Sequence, residues 1–118
     1  MYIESFKQLT VWQRSIELVK EIYTITTKFP QSEIYGLISQ MRRACVAIPS
    51  NIAEGKKRKT RKDFVQFLRI ADGSAAELET QIIIAKDLYL RIDFSKAQSL
   101  LEEVQKMLIT MINKLETN

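Results

Sequence analysis

Apolar residues recur every three or four positions along four long stretches of this chain, and very little interrupts them. Three glycines and two prolines are spread over 118 residues. That leaves too little turn chemistry for a many-stranded β fold and favours long helices. In the first stretch Leu9, Trp12, Ile16, Val19 and Tyr23 form one row, and Val11, Leu18, Ile22, Ile25 and Phe29 a second. This is helical periodicity on an unusually wide face. Phe29-Pro30 ends it, because a residue before proline is pushed out of the α region.

Gln31-Ser32-Glu33 offers a cap for a second helix, striped by Ile34, Leu37, Ile38, Met41, Cys45, Ile48 and Ile52. Pro49 falls inside that stripe, where a proline removes a backbone donor and costs about 3 kcal/mol in an ideal helix. Ile48 and Ile52 keep their i,i+4 relation across it, so a kink is expected rather than a new segment. Gly55 then reads as the left-handed residue that ends the helix. Thr60 followed by Asp63 resembles a capping box with the shorter acid. It would start a third helix of seven or eight turns along Phe64, Phe67, Leu68, Ala71, Ser74, Ala75, Leu78, Ile82, Ala85 and Tyr89. Gly73 within it costs about 1 kcal/mol relative to alanine, and the neighbouring Ser74, Ala75 and Ala76 point to close helix approach as compensation. Asp93 is the expected cap of a fourth helix, whose Ala97, Leu101, Val104, Leu108, Met111 and Leu115 make a heptad-like seam. Short connections make consecutive helices antiparallel. The predicted fold is therefore all-α, an up-down-up-down antiparallel four-helix bundle forming one domain over residues 1–118.

The chain has no histidine. A Ser-His-Asp triad, an H-E-x-x-H zinc site and the Glu-x-x-His pairs of di-iron bundles are all excluded. One cysteine, Cys45, excludes a thiolate zinc site and an internal disulfide, and in its apolar context it reads as a small buried hydrophobe. Gly36, Gly55 and Gly73 are too far apart to cradle a phosphate. Glu77 and Glu79, two apart on a helix, point in different directions and cannot form one dyad. With Asn51, Glu54, Ser74 and Gln81 they read as a polar seam that fixes helix register. No catalytic residue, metal ligand or cofactor is assigned, and the chain is expected not to be an enzyme.

What remains is charge. Lys56–Lys62 reads KKRKTRK, six cations in seven positions. Without them 12 cations stand against 14 acids, so the net charge of +4 is local to one segment. The run straddles a loop and a helix start, placing Arg61 and Lys62 at the positive end of a helix dipole, where an anion would relieve them. Either it is a solvated loop or Lys56, Lys57, Arg58, Lys59, Arg61 and Lys62 form a phosphate-binding surface. Their density favours phosphate, bound largely without regard to base sequence. Arg42 and Arg43 either extend the patch or make salt bridges at an interface. Phe64 and Phe67 read as core, so base stacking is weakly supported. The N-terminus carries Glu4 and no apolar leader, and no stretch approaches the ~18 apolar residues that span a bilayer. A soluble, cytoplasmic protein is the expectation.

Helix 1, with Val11, Trp12, Leu18, Ile22 and Ile25, presents more apolar surface than one stripe of a lone bundle needs. Self-association is the simplest cover for it.

The blocks VWQ (Val11–Gln13), FP (Phe29-Pro30), E-x-YGL (Glu33–Leu37), Q-x-RRA (Gln40–Ala44), NIAEG (Asn51–Gly55) and GS-x-x-ELE-x-Q (Gly73–Gln81) resemble the four-helix-bundle family of 23S rRNA intervening-sequence proteins. They run in the family's order; helix 4 matches only in pattern. The resemblance implies a bundle assembled as a homopentamer, with a basic surface for nucleic acid and no catalytic residues. A group related in fold, the accessory proteins of diversity-generating retroelements, forms a pentameric basic barrel that binds a reverse transcriptase and RNA. Two functions follow as expectations. One is an oligomeric nucleic-acid-binding protein, RNA foremost; the other is a scaffold for a reverse transcriptase or another acidic protein partner.

Overall fold

The computed structural model describes residues 5–117. Met1–Glu4, on which part of the leader argument rests, and Asn118 lie outside the described residues. Four α-helices account for the fold: α1 (Thr10–Thr26), α2 (Ser39–Lys56), α3 (Arg61–Leu88) and α4 (Ser95–Glu116). α1 packs on α2 and α4, and α3 packs on α2 and α4. That is the predicted antiparallel square, drawn out to 46 × 22 × 21 Å. No described helix is long and apolar enough to cross a membrane.

Each helix contributes one buried row. In α1 it is the second of the two rows: Val11, Leu18, Ile22 and Ile25 are all at most 3% exposed. Fully burying each of these side chains is worth about 1.5–3 kcal/mol. The surplus surface predicted for helix 1 is therefore not theirs, because the protein's own core consumes them. Of the residues named there, only Trp12 stays partly exposed. The buried hydroxyls on this helix are satisfied locally: Ser15 donates to the Trp12 carbonyl and Thr26 to the Ile22 carbonyl, each at 2.7 Å.

The start of the second helix differs from the expected stripe. Gln31–Glu33 makes a 3-10 turn and Ile34–Ile38 a π-helical turn, with non-helical angles at Gly36. Regular helix begins only at Ser39. Ile34 is exposed, and Leu37 and Ile38 are half-buried. Glu33 does cap, its carboxylate accepting from the Leu37 N–H at 3.3 Å. The same carboxylate accepts the Tyr89 hydroxyl proton, and this bond holds the Tyr89 pKa above its ordinary value. Tyr89 and Phe94 flank the Phe29 ring at 5.2 and 6.1 Å, closing this end of the bundle. α2 runs through Pro49 as one helix, so no new segment begins there.

Both helical glycines reverse their predicted roles. Gly55 lies inside α2, is buried, and no described glycine has positive φ. A Cβ at Gly55 would stand 2.6 Å from the Cβ of Phe67 and 3.3 Å from the Phe64 carbonyl oxygen. Its role is close approach of α2 to α3. Gly73, where close approach was expected, is exposed, and a Cβ there would meet nothing within 4 Å.

α4 keeps the predicted seam through Leu108, but its last buried member is Ile112, with Met111 and Leu115 half-buried. A straight helix of 3.6 residues per turn drifts off a strict heptad, and here the drift shows after two heptads. Phe94, not Asp93, holds the cap position of α4; Asp93, two residues before the helix, still accepts the Ser95 N–H at 2.9 Å, a bond that lowers its pKa. Cys45 is fully buried, and desolvation pushes its thiol up to about 12, as expected of a packing residue.

Candidate nucleic-acid interface

The basic run occupies the end of the bundle where α2 passes into α3. α2 stops after Lys56, with the Lys57 N–H bonded to the Ala53 carbonyl and the Arg58 N–H to that of Gly55. Thr60 then caps α3, its Oγ1 accepting the Asp63 N–H at 3.1 Å. Replacing Thr60 with alanine is expected to lower stability by about 1 kcal/mol in chemical denaturation, with the helix count by circular dichroism unchanged.

The six cations do not behave alike. Arg58 is turned back onto the protein: its guanidinium bonds the Glu54 carboxylate at 2.7 Å and lies 4.7 Å from the centre of the Phe67 ring. Phe67 is half-buried and held by its contact with Gly55, so this stack fixes where the loop leaves α2. Lys56, Lys57, Lys59 and Lys62 have no ion pair among the described residues, and all but the half-buried Lys56 are exposed. Arg61 is exposed at the first residue of α3. Four free lysines, Lys56 at the end of α2, Lys57 and Lys59 on the short loop and Lys62 in the first turn of α3, cannot spread apart as a disordered tail would.

Arg42 and Arg43 lie elsewhere. Arg43 precedes Lys56 by about 20 Å of continuous helix, more than twice the screening length of roughly 8 Å at physiological salt. Arg42 is engaged with α1, donating to Thr26 Oγ1 at 2.9 Å with its guanidinium 4.4 Å from the Tyr23 ring centre. It ties α1 to α2 and does not extend the basic patch. That capture joins residues 16 apart in sequence, and no spacing rule in the sequence signals it.

Arg43 opens instead onto a cavity of about 580 Å³ between α2 and α3, which Gln40, Asn51, Ser74, Glu77 and Gln81 also line. Of the residues read as a register-fixing seam, Asn51, Ser74, Glu77 and Gln81 come together here, without the expected bonds between the two helices, whereas Glu54 pairs with Arg58. Asn51 donates to the Ala47 carbonyl of its own helix at 2.8 Å. Gln81 Oε1 is buried with no partner. Glu79, pointing away from Glu77 as expected, accepts from Gln105 of α4 at 2.9 Å. The site's own chemistry is thus charge at one end and an uncovered polar seam along one side.

No curated protein matches the chain. A crystal structure of a protein of unknown function from the S23 ribosomal protein family of Bacteroides thetaiotaomicron is similar to it with a TM-score of 0.74 and 25% identity, over 87% of this chain and 98% of that one. The family model described as 23S rRNA-intervening sequence protein matches residues 7–110. Since that match takes in α1, α2, α3 and most of α4, the chain belongs to the 23S rRNA-intervening sequence protein family.

Proposed function

We propose that the protein is a non-enzymatic, oligomeric helical bundle that binds nucleic acid, RNA foremost, through phosphate contacts made by its basic loop. One observation carries this reading: Lys56, Lys57, Lys59 and Lys62 stand without ion pairs at one end of the bundle, in a run of six cations outside which 12 cations face 14 acids. Lysines on phosphates position a nucleic acid without reading its bases. The family name supplies an RNA context, and the resemblance to its members supplies the homopentamer. Several copies of a weak patch on one rigid body raise avidity with no new contact, provided the ligand can reach them together. The reading calls for no cofactor, and its cellular setting is the cytoplasm.

A fluorescence-anisotropy titration against duplex and single-stranded RNA and DNA at several salt concentrations tests it. Four phosphate contacts per engaged subunit should give log K a slope of about −3.6 against log[salt] for a duplex, and about −2.8 for a single strand if the RNA-favouring mode is the open strand. Binding that ignores salt would refute the reading.

The scaffold reading has one observation of its own. Tyr35 and Leu90 are 96% and 86% exposed at the end of the bundle away from the basic run, which fits an apolar contact with a protein partner such as a polymerase subunit. A partner that stays bound after nuclease treatment and is lost on Tyr35→Ser would favour it.

A further inference from the structure

The positive charge of the basic run continues onto the side of α3. Lys62, Gln66 and Arg69 step by four and three, so they share one face of the helix, with Arg69 about 10 Å beyond Lys62. Asp72, a turn further on, ends the stripe. This face borders a cavity of about 530 Å³ between the first turns of α3 and the end of α4. Buried Val65 and half-buried Leu115 supply its apolar lining, and Gln66 adds an amide with no hydrogen-bond partner among the described residues. Its charged lining is Arg61, Lys62 and Arg69 against one acid, Glu116.

That acid shows what the cleft receives, an oxyanion. The Arg69 guanidinium donates to the Glu116 carboxylate across 47 positions of sequence. An arginine fork takes a carboxylate and a phosphate with the same geometry. Glu116 is the last residue of α4, where a helix frays and where a negative charge opposes the helix dipole. The two side chains are 51% and 44% exposed, and an exposed pair of this kind holds weakly. A carboxylate so placed yields to a phosphate presented to the same guanidinium.

We infer that this cleft is a further phosphate subsite, entered by a nucleic-acid strand that leaves the basic loop along α3, and that Glu116 competes with the strand for Arg69. The inference rests on the phosphate-binding reading of the proposed function and adds one contact site with its internal competitor. Lys62 and Arg69 each meet a backbone phosphate, and Gln66 donates between them; such contacts position a strand without reading its bases. Charge sets the direction. Along α2 the next cation before Lys56 is Arg43, about 20 Å away, whereas along α3 Arg69 stands about 10 Å from Lys62, close to the screening length of roughly 8 Å.

Fluorescence anisotropy with duplex and single-stranded RNA tests this on Glu116→Gln, Arg69→Ser and the double variant, each checked for native helix content. Glu116→Gln keeps the shape of the side chain and removes the competing charge. It is expected to tighten binding about threefold or more at about 50 mM salt, and to steepen the slope of log K by up to about 0.9 for a duplex and about 0.7 for a single strand. Arg69→Ser alone is expected to change affinity by less than about twofold, because Glu116 already holds that guanidinium. Placed beside Glu116→Gln, it should remove the whole gain.

A Glu116→Gln protein that binds no tighter than wild type would overturn the inference. So would a gain from Glu116→Gln that persists beside Arg69→Ser, since it would come from general charge and not from the freed arginine. A loss on Arg69→Ser as large in wild type as beside Glu116→Gln would show that the two anions do not compete, and would overturn it as well. Glu116→Ser replaces Glu116→Gln if the latter loses helix. If wild type and Glu116→Gln alike bind no RNA, the phosphate reading falls and takes the subsite with it; if wild type binds through the four lysines and Glu116→Gln adds nothing, the subsite alone falls.

Discussion

Changing Lys56, Lys57, Lys59 and Lys62 together to serine is expected to weaken RNA binding by about 100-fold or more at low salt and to flatten the salt dependence by about 3–4 units for a duplex. These four carry the prediction because they have no ion pair within the described protein. Arg58 is left in place: with Glu54 and Phe67 holding its guanidinium, its removal would disturb the exit of the loop from α2 as well as the charge. Stability should move the other way. Lys62 lies in the first turn of α3, where a cation opposes the helix dipole by about 0.3–1 kcal/mol. Its loss, together with relief of repulsion among neighbouring lysines, should leave the protein as stable as wild type or slightly more so. A loop kept merely for solvation predicts no change in binding, so unchanged affinity and slope would overturn the phosphate reading. Arg43→Ser is the control: about 20 Å along α2 from the run, it should leave the salt slope as it was.

The parts of this fold that could be read from the sequence are those fixed by short-range rules. Helical period placed the buried row of α4 as far as Leu108 and gave the buried row of α1 as one of two, Phe29-Pro30 placed the end of α1, and Thr60 with Asp63 placed the start of α3. Each depends on residues within a turn or two of one another. The glycines were misread because a missing side chain states only that there is room, and what fills that room lies on another helix. Gly55 looked like a terminator because a basic loop follows it, yet the deciding contact is with Phe67, 12 residues on and across the loop. Gly73 looked like a packing residue because small neighbours flank it, yet of these only Ala75 is buried, and Gly73 itself is exposed. The same limit holds at the candidate site. The density of charge was visible, but that Arg58 would be captured by Glu54 and Phe67, and Arg42 by Thr26 and Tyr23, depends on helix crossings that only packing decides. The surplus apolar surface of helix 1 was also visible in the sequence. The structure consumes most of it: the second row is core, Leu9, Trp12 and Val19 of the first row pack against that core, and of this row only Tyr23 is exposed.

Gly55→Leu is expected to cost about 3 kcal/mol or more, at the upper end of what overpacking a core does. At roughly 4 °C per kcal/mol for a domain of this size, that lowers the melting temperature by about 12 °C. The reason is which atoms stand in the way. The first added carbon would lie 2.6 Å from Phe67 Cβ and 3.3 Å from the Phe64 carbonyl oxygen. Both belong to or adjoin the α3 backbone and cannot swing aside as the tip of a long side chain can. α2 and α3 must therefore part at the point where the chain turns into the basic loop, and Val65 and Leu68 on the next turn lose part of their cover. Gly55→Ala separates this from the general gain of replacing a helical glycine. It should gain up to about 1 kcal/mol in helix propensity and lose more than that to the clash, so that it too unfolds earlier than wild type. Gly73→Ala, with nothing within 4 Å of the new carbon, should gain the propensity alone and melt higher. If Gly55→Ala and Gly73→Ala shift the midpoint in the same direction, then α2 and α3 are not in contact at Gly55, and the platform that holds the four lysines is not the one described.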